Sequence, residues 1–209
     1  MIAGISFGSC YVYSPAGQCE VSRRSRLLCT LLKSADAEYL NRYASRVRLE
    51  VFDHQRFGGY FDASTVLVPV PGCRPRAPGE TSVAERLAAA LVAAGLGAAV
   101  WSGLTRVRPV RKSATAPGFE RPTVAKHYDS FAVEPRDPAP RRILLIDDVV
   151  TKGRTLIAAA TRVHEAFPAV PIRAFALLRT MGIDADVSRL IDPCVGQIRW
   201  RGGDAHRRP

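Results

Sequence analysis

The feature that most constrains the fold is an apolar run that passes directly into two acids and then into a helical pattern. Residues 143–146 read ILLI, Asp147 and Asp148 follow, and the letters TKGRT at 151–155 open a periodic segment that ends before Pro168. A continuous apolar run predicts a strand buried on both faces, as in a parallel sheet. Ligands bind beyond the carboxyl ends of such strands, so we expect a binding site at residues 151–155.

Residues 151–155 have the chemistry of an anion site. Their glycine permits a tight turn, and the free N–H groups at the start of the following helix, together with two threonine hydroxyls, can donate to a phosphate. Asp147 and Asp148 can accept hydrogen bonds from sugar hydroxyls beside that phosphate. The pattern therefore predicts a site for a ribose 5-phosphate. The residues of this site are Asp147, Asp148, Val149, Val150, Thr151, Lys152, Gly153, Arg154 and Thr155.

Three other interpretations of the acid pair fit less well. A Walker B strand also ends in acids, but it requires a phosphate loop of the form GxxxxGK[ST], which the sequence lacks. A receiver-type acid pair follows the first strand of its sheet, whereas this pair follows the third predicted strand of the alternating region. A plain strand–turn–helix with solvated aspartates accounts for one acid, and it accounts poorly for two acids followed by T-x-G-x-T.

Strands and helices alternate from Thr65 onward. The predicted strands are 66–70, 98–103, 142–146 and 172–178, and the predicted helices are 82–94 and 155–167. This alternation predicts an α/β fold with a mainly parallel twisted sheet flanked by helices. Residues 105–140 interrupt the alternation, because they are basic and rich in proline. A loop of that size in a compact domain is usually functional or disordered.

The predicted domain organisation has a core and two smaller parts. Residues 1–60 are expected to form a small N-terminal hood or appendage, and residues 61–200 to form the core, with a mobile loop at about 105–131. Residues 201–209 are expected to be a flexible tail. The elements predicted within the N-terminal part are a strand or hairpin at 2–13 and amphipathic helices at 22–33 and 36–48.

Charge and cysteine content narrow the class of protein. The 209 residues carry a formal net charge of +11, which favours an anionic partner such as a phosphorylated substrate or a nucleic acid. The five cysteines form no C-x-x-C pair, so reduced thiols are expected, with a metal site at Cys10, Cys19 and Cys29 as the alternative. No charge-free apolar run reaches the roughly 20 residues that span a bilayer, and the first residues show no signal-peptide pattern. We therefore expect a cytoplasmic protein without membrane contact.

Residues 143–155 resemble the phosphoribosyl pyrophosphate (PRPP) binding signature of the type I phosphoribosyltransferases. The sequence departs from the signature at Lys152, where the family has a small residue or arginine. The letters LVPVP at 67–71, followed by a glycine and basic residues, are similar to the ComF-like members of that family. The similarity covers roughly residues 66–179, without the zinc knuckle that these members often carry at the N-terminus. The resemblance implies the type I phosphoribosyltransferase fold.

The resemblance also implies a second set of site residues. In the family, the loop after LVPVP holds pyrophosphate, which implies Pro71, Gly72 and Arg74, with Arg76 as a substitute for Arg74. A mobile basic loop then closes over the pyrophosphate, and residues 105–131 occupy that position. The basic residues assigned to this closure are Arg106, Arg108, Arg111 and Lys112, with Lys126 and His127 as secondary candidates and His127 also as a candidate general base. The predicted catalytic residues are Asp147, Asp148, Arg106 and Lys112.

The activity that the resemblance implies is transfer of ribose 5-phosphate from PRPP to a nitrogen acceptor, with release of pyrophosphate. The acceptor is expected to be a nucleobase or a related compound. Mg²⁺ is the implied cofactor, and Asp147 and Asp148 would hold it indirectly, through PRPP or water. Neither end of the chain carries an adenine, guanine or orotate signature, so the acceptor is unknown. Tyr11, Tyr13 and Phe57 are candidates for stacking on its ring.

A second function stays open beside transfer. The chain could be a non-catalytic PRPP-binding regulator, or a DNA-handling accessory protein of the competence type, since ComF-like relatives are associated with DNA uptake. The net charge of +11 would suit single-stranded DNA, but the sequence has no helix-turn-helix signature and no patterned aromatic platform. The chain could also form a homodimer.

Overall fold

The computed structural model describes residues 1–111, 121–134, 139–182 and 185–209. The strands are β1 (Gly4–Tyr13), β2 (Thr65–Pro69), β3 (Ala99–Val100), β4 (Leu104–Arg106), β5 (Phe131–Val133), β6 (Arg142–Val150), β7 (Ile172–Thr180), β8 (Ile191–Arg201) and β9 (Asp204–Arg208). The helices are α1 (Glu20–Ser34), α2 (Ala37–Phe52), α3 (Val83–Ala93), α4 (Val124–Ser130) and α5 (Arg154–Ala166).

Seven of these strands form one sheet in the order β3-β2-β6-β7-β1-β8-β9. The neighbours from β3 to β1 pair in parallel, while β8 and β9 are antiparallel additions at one edge. In the centre of the sheet, Leu145 pairs with Ala174 and Ala174 pairs with Phe7. The predicted α/β class, with a mostly parallel sheet flanked by helices, is therefore confirmed.

The sheet separates two apolar cores, and strand β6 contributes to both. Leu144 and Ile146 pack with α1, α2 and α3, whereas Ile143 and Leu145 pack with α5 on the opposite face. Successive side chains of a strand point to opposite faces, so an uninterrupted apolar run is what a strand between two helical layers requires. This explains why ILLI could be recognised in the sequence as the centre of the fold.

The N-terminal segment is not an appendage, and this prediction was wrong. Strand β1 lies inside the sheet, with β7 on one side and β8 on the other. Its pattern was weak because the strand contains small residues that make room for large neighbours. A Cβ atom at Gly8 would lie 3.1 Å from the rings of both Phe57 and Phe175. Helices α1 and α2 form close to their predicted positions and cover one face of the sheet.

The predicted flexible tail was also wrong, because residues 204–208 form strand β9. It pairs with β8, for which the sequence had predicted no strand, through a turn at Gly202 and Gly203. Both glycines have positive φ angles, 57° and 82°, which is the conformation that glycine adopts without steric cost. The segment looked unstructured because an edge hairpin exposes polar side chains on its outer face.

The long basic segment contains secondary structure at its base. Strands β4 and β5 pair antiparallel, and helix α4 leads directly into β5. Residues 112–120 of the predicted mobile loop lie outside the described residues. None of the helices in the described ranges is long and apolar enough to cross a membrane.

The five cysteines are free in the structure. Cys10 and Cys29 are buried, and burial raises the pKa of Cys10 to about 12. The Sγ atom of Cys19 accepts a hydrogen bond from the backbone N–H of Ser22 and caps helix α1. The described residues contain no cluster of three or more histidine, cysteine, aspartate or glutamate side chains that could hold a metal ion.

Candidate functional site

A cleft of about 1730 Å³ lies at the carboxyl ends of the parallel strands. Residues 71–73, which follow β2, line one part of it, and residues 147–156, at the end of β6 and the start of α5, line another. Thr180 and Gly182 contribute from the end of β7, and the hairpin of β8 and β9 forms a further wall. The structure thus brings together the two segments that the sequence had assigned to one site.

The loop at 151–155 has the geometry of an anion cradle. Gly153 immediately precedes α5 with a φ angle of 86°, and no side chain caps the helix there. The first backbone N–H groups of a helix have no partner within it and carry the positive end of the helix dipole, and the residues at this helix start line the cleft. A Cβ atom at Gly153 would lie 2.7 Å from Cδ1 of Ile198, so glycine is required for space as well as for conformation.

Arg154 ties this loop to the edge hairpin. Its Nε and Nη2 atoms donate to the two carboxylate oxygens of Asp204 at 2.5 and 2.7 Å, and the Nζ atom of Lys152 lies 3.7 Å from the same carboxylate. The hydrogen bond from Arg154 is the main cause that lowers the pKa of Asp204 to about 2. The side chain of Arg154 therefore serves the fold, and its predicted role in binding a ligand is left to its backbone N–H.

The two aspartates at the end of β6 are partly buried and linked by backbone contacts. The N–H of Asp148 donates to Oδ1 of Asp147 at 2.9 Å, and the N–H of Val149 donates to Oδ1 of Asp148 at 2.7 Å. Burial, followed by the neighbouring Asp148, raises the pKa of Asp147 well above its usual value. Both carboxylates line the cleft, where they can accept hydrogen bonds from hydroxyl groups of a ligand.

Lys33 was not among the predicted site residues, yet it lies at the acid pair. Its Nζ atom, at the end of α1, is 3.1 Å from Oδ2 of Asp148. Burial lowers the pKa of Lys33, but the attraction of Asp148 outweighs this effect, and the net shift is upward. No local pattern in the sequence links residue 33 to residue 148, because the contact exists only once α1 packs beside the carboxyl edge of the sheet.

Two carboxylates are a donor set that suits Mg²⁺ bound together with a substrate. Mg²⁺ usually keeps several waters and takes one or two carboxylates plus substrate phosphates. Asp147 and Asp148 are the carboxylates that line the cleft in the described part of the chain. They fit the predicted indirect role, in which the ion is held mainly by ligand and water.

Arg106 is buried, and its contacts differ from those of a residue that closes on a ligand. It donates to the backbone oxygens of Gly72 and Pro71 and to the hydroxyl of Ser130, and its guanidinium stacks 4.2 Å from the ring centre of Phe131. Burial lowers its pKa to about 10, so it stays charged at neutral pH. Arg106 thus positions the loop at 71–73 and also lines the cleft, and its predicted direct role on a ligand stays a prediction.

The other predicted basic residues are dispersed. Arg74 pairs with Glu80 at 2.7 Å and lines a separate pocket of about 470 Å³. Arg108 donates to the backbone oxygen of Asp129 at 2.9 Å. Arg111 lines the main cleft, and its role on a ligand stays a prediction. Lys112 lies outside the described residues, and Lys126 is exposed on α4 and is not part of the cleft lining.

Val149 and Val150 line the cleft, while Val149 packs against one core and Val150 is buried in the other. Thr151 is exposed at the cleft and Thr155 is partly buried there. The predicted substrate-binding segment 149–155 is therefore continuous along the cleft, with its amides and threonine hydroxyls as the groups offered to a ligand.

His127 is a buried neighbour of the anion cradle. Its Nε2 atom lies 3.4 Å from the hydroxyl oxygen of Thr155, and its ring stacks on Phe131 with 6.3 Å between centroids. Burial lowers its pKa to about 4, with help from the charges of Arg106 and Arg154. The imidazole is neutral at pH 7, and its Nδ1 atom has no hydrogen-bond partner in the described part of the chain.

The aromatic residues predicted to stack on an acceptor have other roles. Tyr11 packs edge-on against Tyr43 at 5.8 Å, and Phe57 packs edge-on against Phe175 at 5.4 Å, both within the core. Tyr13 is partly buried beside that core and does not line the cleft. The hairpin of β8 and β9 lines the cleft instead. The alternating letters QIRWR at 197–201 were the signal that could have identified it.

Comparison with known proteins adds no relative to this picture. The sequence matches no protein-family model, and it has no significant match among curated proteins.

Proposed function

We propose that the chain binds PRPP in the cleft and transfers its ribose 5-phosphate to a nitrogen acceptor, releasing pyrophosphate. The observation that carries the proposal is the convergence of three features on one cleft. These are the anion cradle at 151–155, the acid pair of Asp147 and Asp148, and the irregular backbone at 71–73. PRPP carries a 5-phosphate, a ribose diol and a pyrophosphate, in the same order as these three features.

The order of the strands supports this arrangement of the substrate. Strands β2 and β6 are hydrogen-bonded neighbours, and neighbouring strands are about 4.8 Å apart. The 5-phosphate would lie at the start of α5, the ribose hydroxyls at the acid pair, and the pyrophosphate at residues 71–73. Arg106 would then act as a positioning residue, since it holds the carbonyls of Pro71 and Gly72 and leaves the other side of that backbone to the ligand.

In the proposed reaction, a lone pair on the acceptor nitrogen forms a bond to C1 of the ribose. The C1–O bond to pyrophosphate breaks, and its electron pair leaves on the pyrophosphate oxygen. If the attacking nitrogen carries a hydrogen, that proton passes to pyrophosphate or to solvent. Positive charge develops on the ribose ring in the transition state, and carboxylates fixed beside it stabilise that charge. Mg²⁺, when bound with PRPP, would neutralise charge on the leaving group.

Titration calorimetry of the full chain with PRPP and Mg²⁺ tests the binding step. We expect replacement of Asp147→Asn together with Asp148→Asn to weaken PRPP binding by at least tenfold, because the ribose hydroxyls lose two charged acceptors. Glu38→Gln together with Asp53→Asn is the matched control, since both residues are exposed on or next to α2, away from the cleft.

The circular dichroism spectrum should be unchanged in both double variants, which separates a binding effect from unfolding. Unchanged PRPP affinity in the aspartate variant would overturn the assignment of the ribose site. Absence of PRPP binding by the unaltered chain would overturn the proposed function altogether. Binding without pyrophosphate release for any nitrogen acceptor would favour the PRPP-binding regulator.

A further inference from the structure

One face of the edge hairpin is basic and lines the cleft. Gln197, Arg199 and Arg201 alternate along β8 and so share a face. His206 and Arg208 of β9 pair directly with Arg199 and Gln197, which places them on that same face. We call these five residues the basic hairpin face. All five are exposed, and all five line the cleft.

The arginines of the basic hairpin face are not neutralised by carboxylates of the described residues. Arg199, Arg201 and Arg208 have no ion-pair partner within the described ranges. The nearest carboxylate in sequence, Asp204, is already held by Arg154 through two hydrogen bonds and by Lys152. A cleft wall with three uncompensated guanidinium groups attracts an anionic ligand.

The sheet order separates this face from the loop that would hold pyrophosphate. Strands β6, β7 and β1 lie between β2 and β8. Four strand spacings of about 4.8 Å amount to about 19 Å along the sheet. The hairpin instead adjoins the anion cradle through Asp204, which pairs with Arg201 on this same face and binds Arg154 at the start of α5. The basic hairpin face is therefore on the side of the cradle opposite to residues 71–73.

We infer that the nitrogen acceptor is an anion, namely a ring compound that carries a carboxylate recognised by Arg199 and Arg201. This inference rests on the proposed function and specifies its second substrate. Arginine binds carboxylates with two parallel hydrogen bonds, which gives orientation as well as affinity. Val195 continues the same face of β8, is exposed, and lines the cleft, so it offers an apolar surface for the ring.

With such an acceptor, the transfer step has the same electron balance as the proposed transfer of ribose 5-phosphate. For a carboxylated pyridine, the ring nitrogen supplies the lone pair, the C1–O bond breaks toward pyrophosphate, and no proton is released. For a ring N–H acceptor, the proton leaves with pyrophosphate or to solvent. The carboxylate takes no part in bond making, and its role is to hold the ring in place.

Matched acid and neutral acceptors test the inference on the full chain. The pairs are nicotinate with nicotinamide and orotate with uracil, each with PRPP and Mg²⁺, measured by pyrophosphate release and by calorimetry. We expect an acid member of at least one pair to bind or react at least tenfold better than its neutral partner. Arg199→Gln with Arg201→Gln should remove that preference while the affinity for PRPP changes less than twofold.

Arg48→Gln with Arg141→Gln is the control, since it removes two exposed charges outside the cleft lining. It should leave the acid preference intact. A preference for neutral members, or none in any pair, overturns the inference while PRPP binding in the same titrations preserves the proposed function. Loss of PRPP affinity in the Arg199 and Arg201 variant also overturns it, because the face would then serve the phosphates. Binding of a single-stranded oligonucleotide to the unaltered chain and to the variant is measured as well. If the Arg199 and Arg201 variant loses that binding but keeps the acid preference, the inference is overturned, because the face would then bind nucleic acid.

Discussion

At Gly153, backbone conformation and packing impose the same requirement. Its φ angle of 86° lies in the region that side chains rarely adopt, and Ile198 fills the space that a Cβ atom would need. Some glycines in the chain meet neither condition. Gly58, for example, has open space around its Cα atom and no positive φ angle.

We therefore expect Gly153→Ala to lower the free energy of unfolding by about 1 to 3 kcal/mol and to weaken PRPP binding. The strain would displace the first amides of α5, which form the cradle. Urea denaturation and calorimetry measure the two effects. Gly58→Ala should change the free energy of unfolding by no more than about 0.5 kcal/mol. Equal stability of the two variants would show that the loop tolerates a side chain at 153.

At the scale of elements, the decisive contact joins the start of α5 to strand β9. The carboxylate of Asp204 receives two hydrogen bonds from Arg154, and its lowered pKa of about 2 reflects that pairing. Edge strands have backbone pairing on one side only. The ion pair therefore holds the outer strand of the hairpin against the helix that forms the anion cradle.

Asp204→Asn should weaken the attachment of strand β9 to the start of α5. We expect a loss of about 1 to 2 kcal/mol of stability, since the pair is partly exposed and bidentate. The backbone amides of His206 and Arg208, which alternate in the ladder with β8, should exchange with deuterium faster, while those of β6 keep their rates. Asp53→Asn, at an exposed position, is the control. Unchanged exchange in β9 would mean that backbone pairing with β8 is sufficient to hold the strand.

At the scale of the whole molecule, His127 makes stability depend on pH. Its folded pKa of about 4 lies below its usual value of 6.5, because it is buried and faces Arg106 and Arg154. Thr155 and Phe131 also contact its ring. The unfolded chain thus binds more protons than the folded chain between these two values. Stability contributed by the neutral form is complete above pH 6.5 and is lost as the pH falls toward 4.

From this group alone we expect a loss of about 2 kcal/mol between pH 7 and pH 5. His127→Phe keeps an aromatic ring beside Phe131 and removes the titration, so its unfolding free energy should fall less steeply over that range. Urea denaturation at several pH values measures the slopes. His164→Gln, at an exposed position of α5, should leave the slope as it is. Parallel curves for the native chain and the His127 variant would contradict the prediction.

The sequence by itself determined the elements whose signals are local. The ILLI run, the acid pair and Gly153 predicted a buried strand, a loop and a helix start, because each depends on residues within one turn or one strand. Ser82 and Glu85 marked the start of α3 in the same way and form its capping box. The alternation of these elements was enough to predict an α/β sheet.

Tertiary structure alone decided which strands are neighbours and which charges are free. β1 lies inside the sheet, where Gly8 leaves room for the rings of residues 57 and 175. Arg106 and Arg154 hold other segments in place through Gly72 and Asp204. These contacts could not be predicted from the sequence, because the partners are 34 and 50 residues away along the chain. The arginines of the basic hairpin face have no ion-pair partner in the part of the chain that the structure describes, because the fold brings no carboxylate of that part to them. Burial and pairing depend on contacts between distant segments, and a sequence pattern reports only near neighbours.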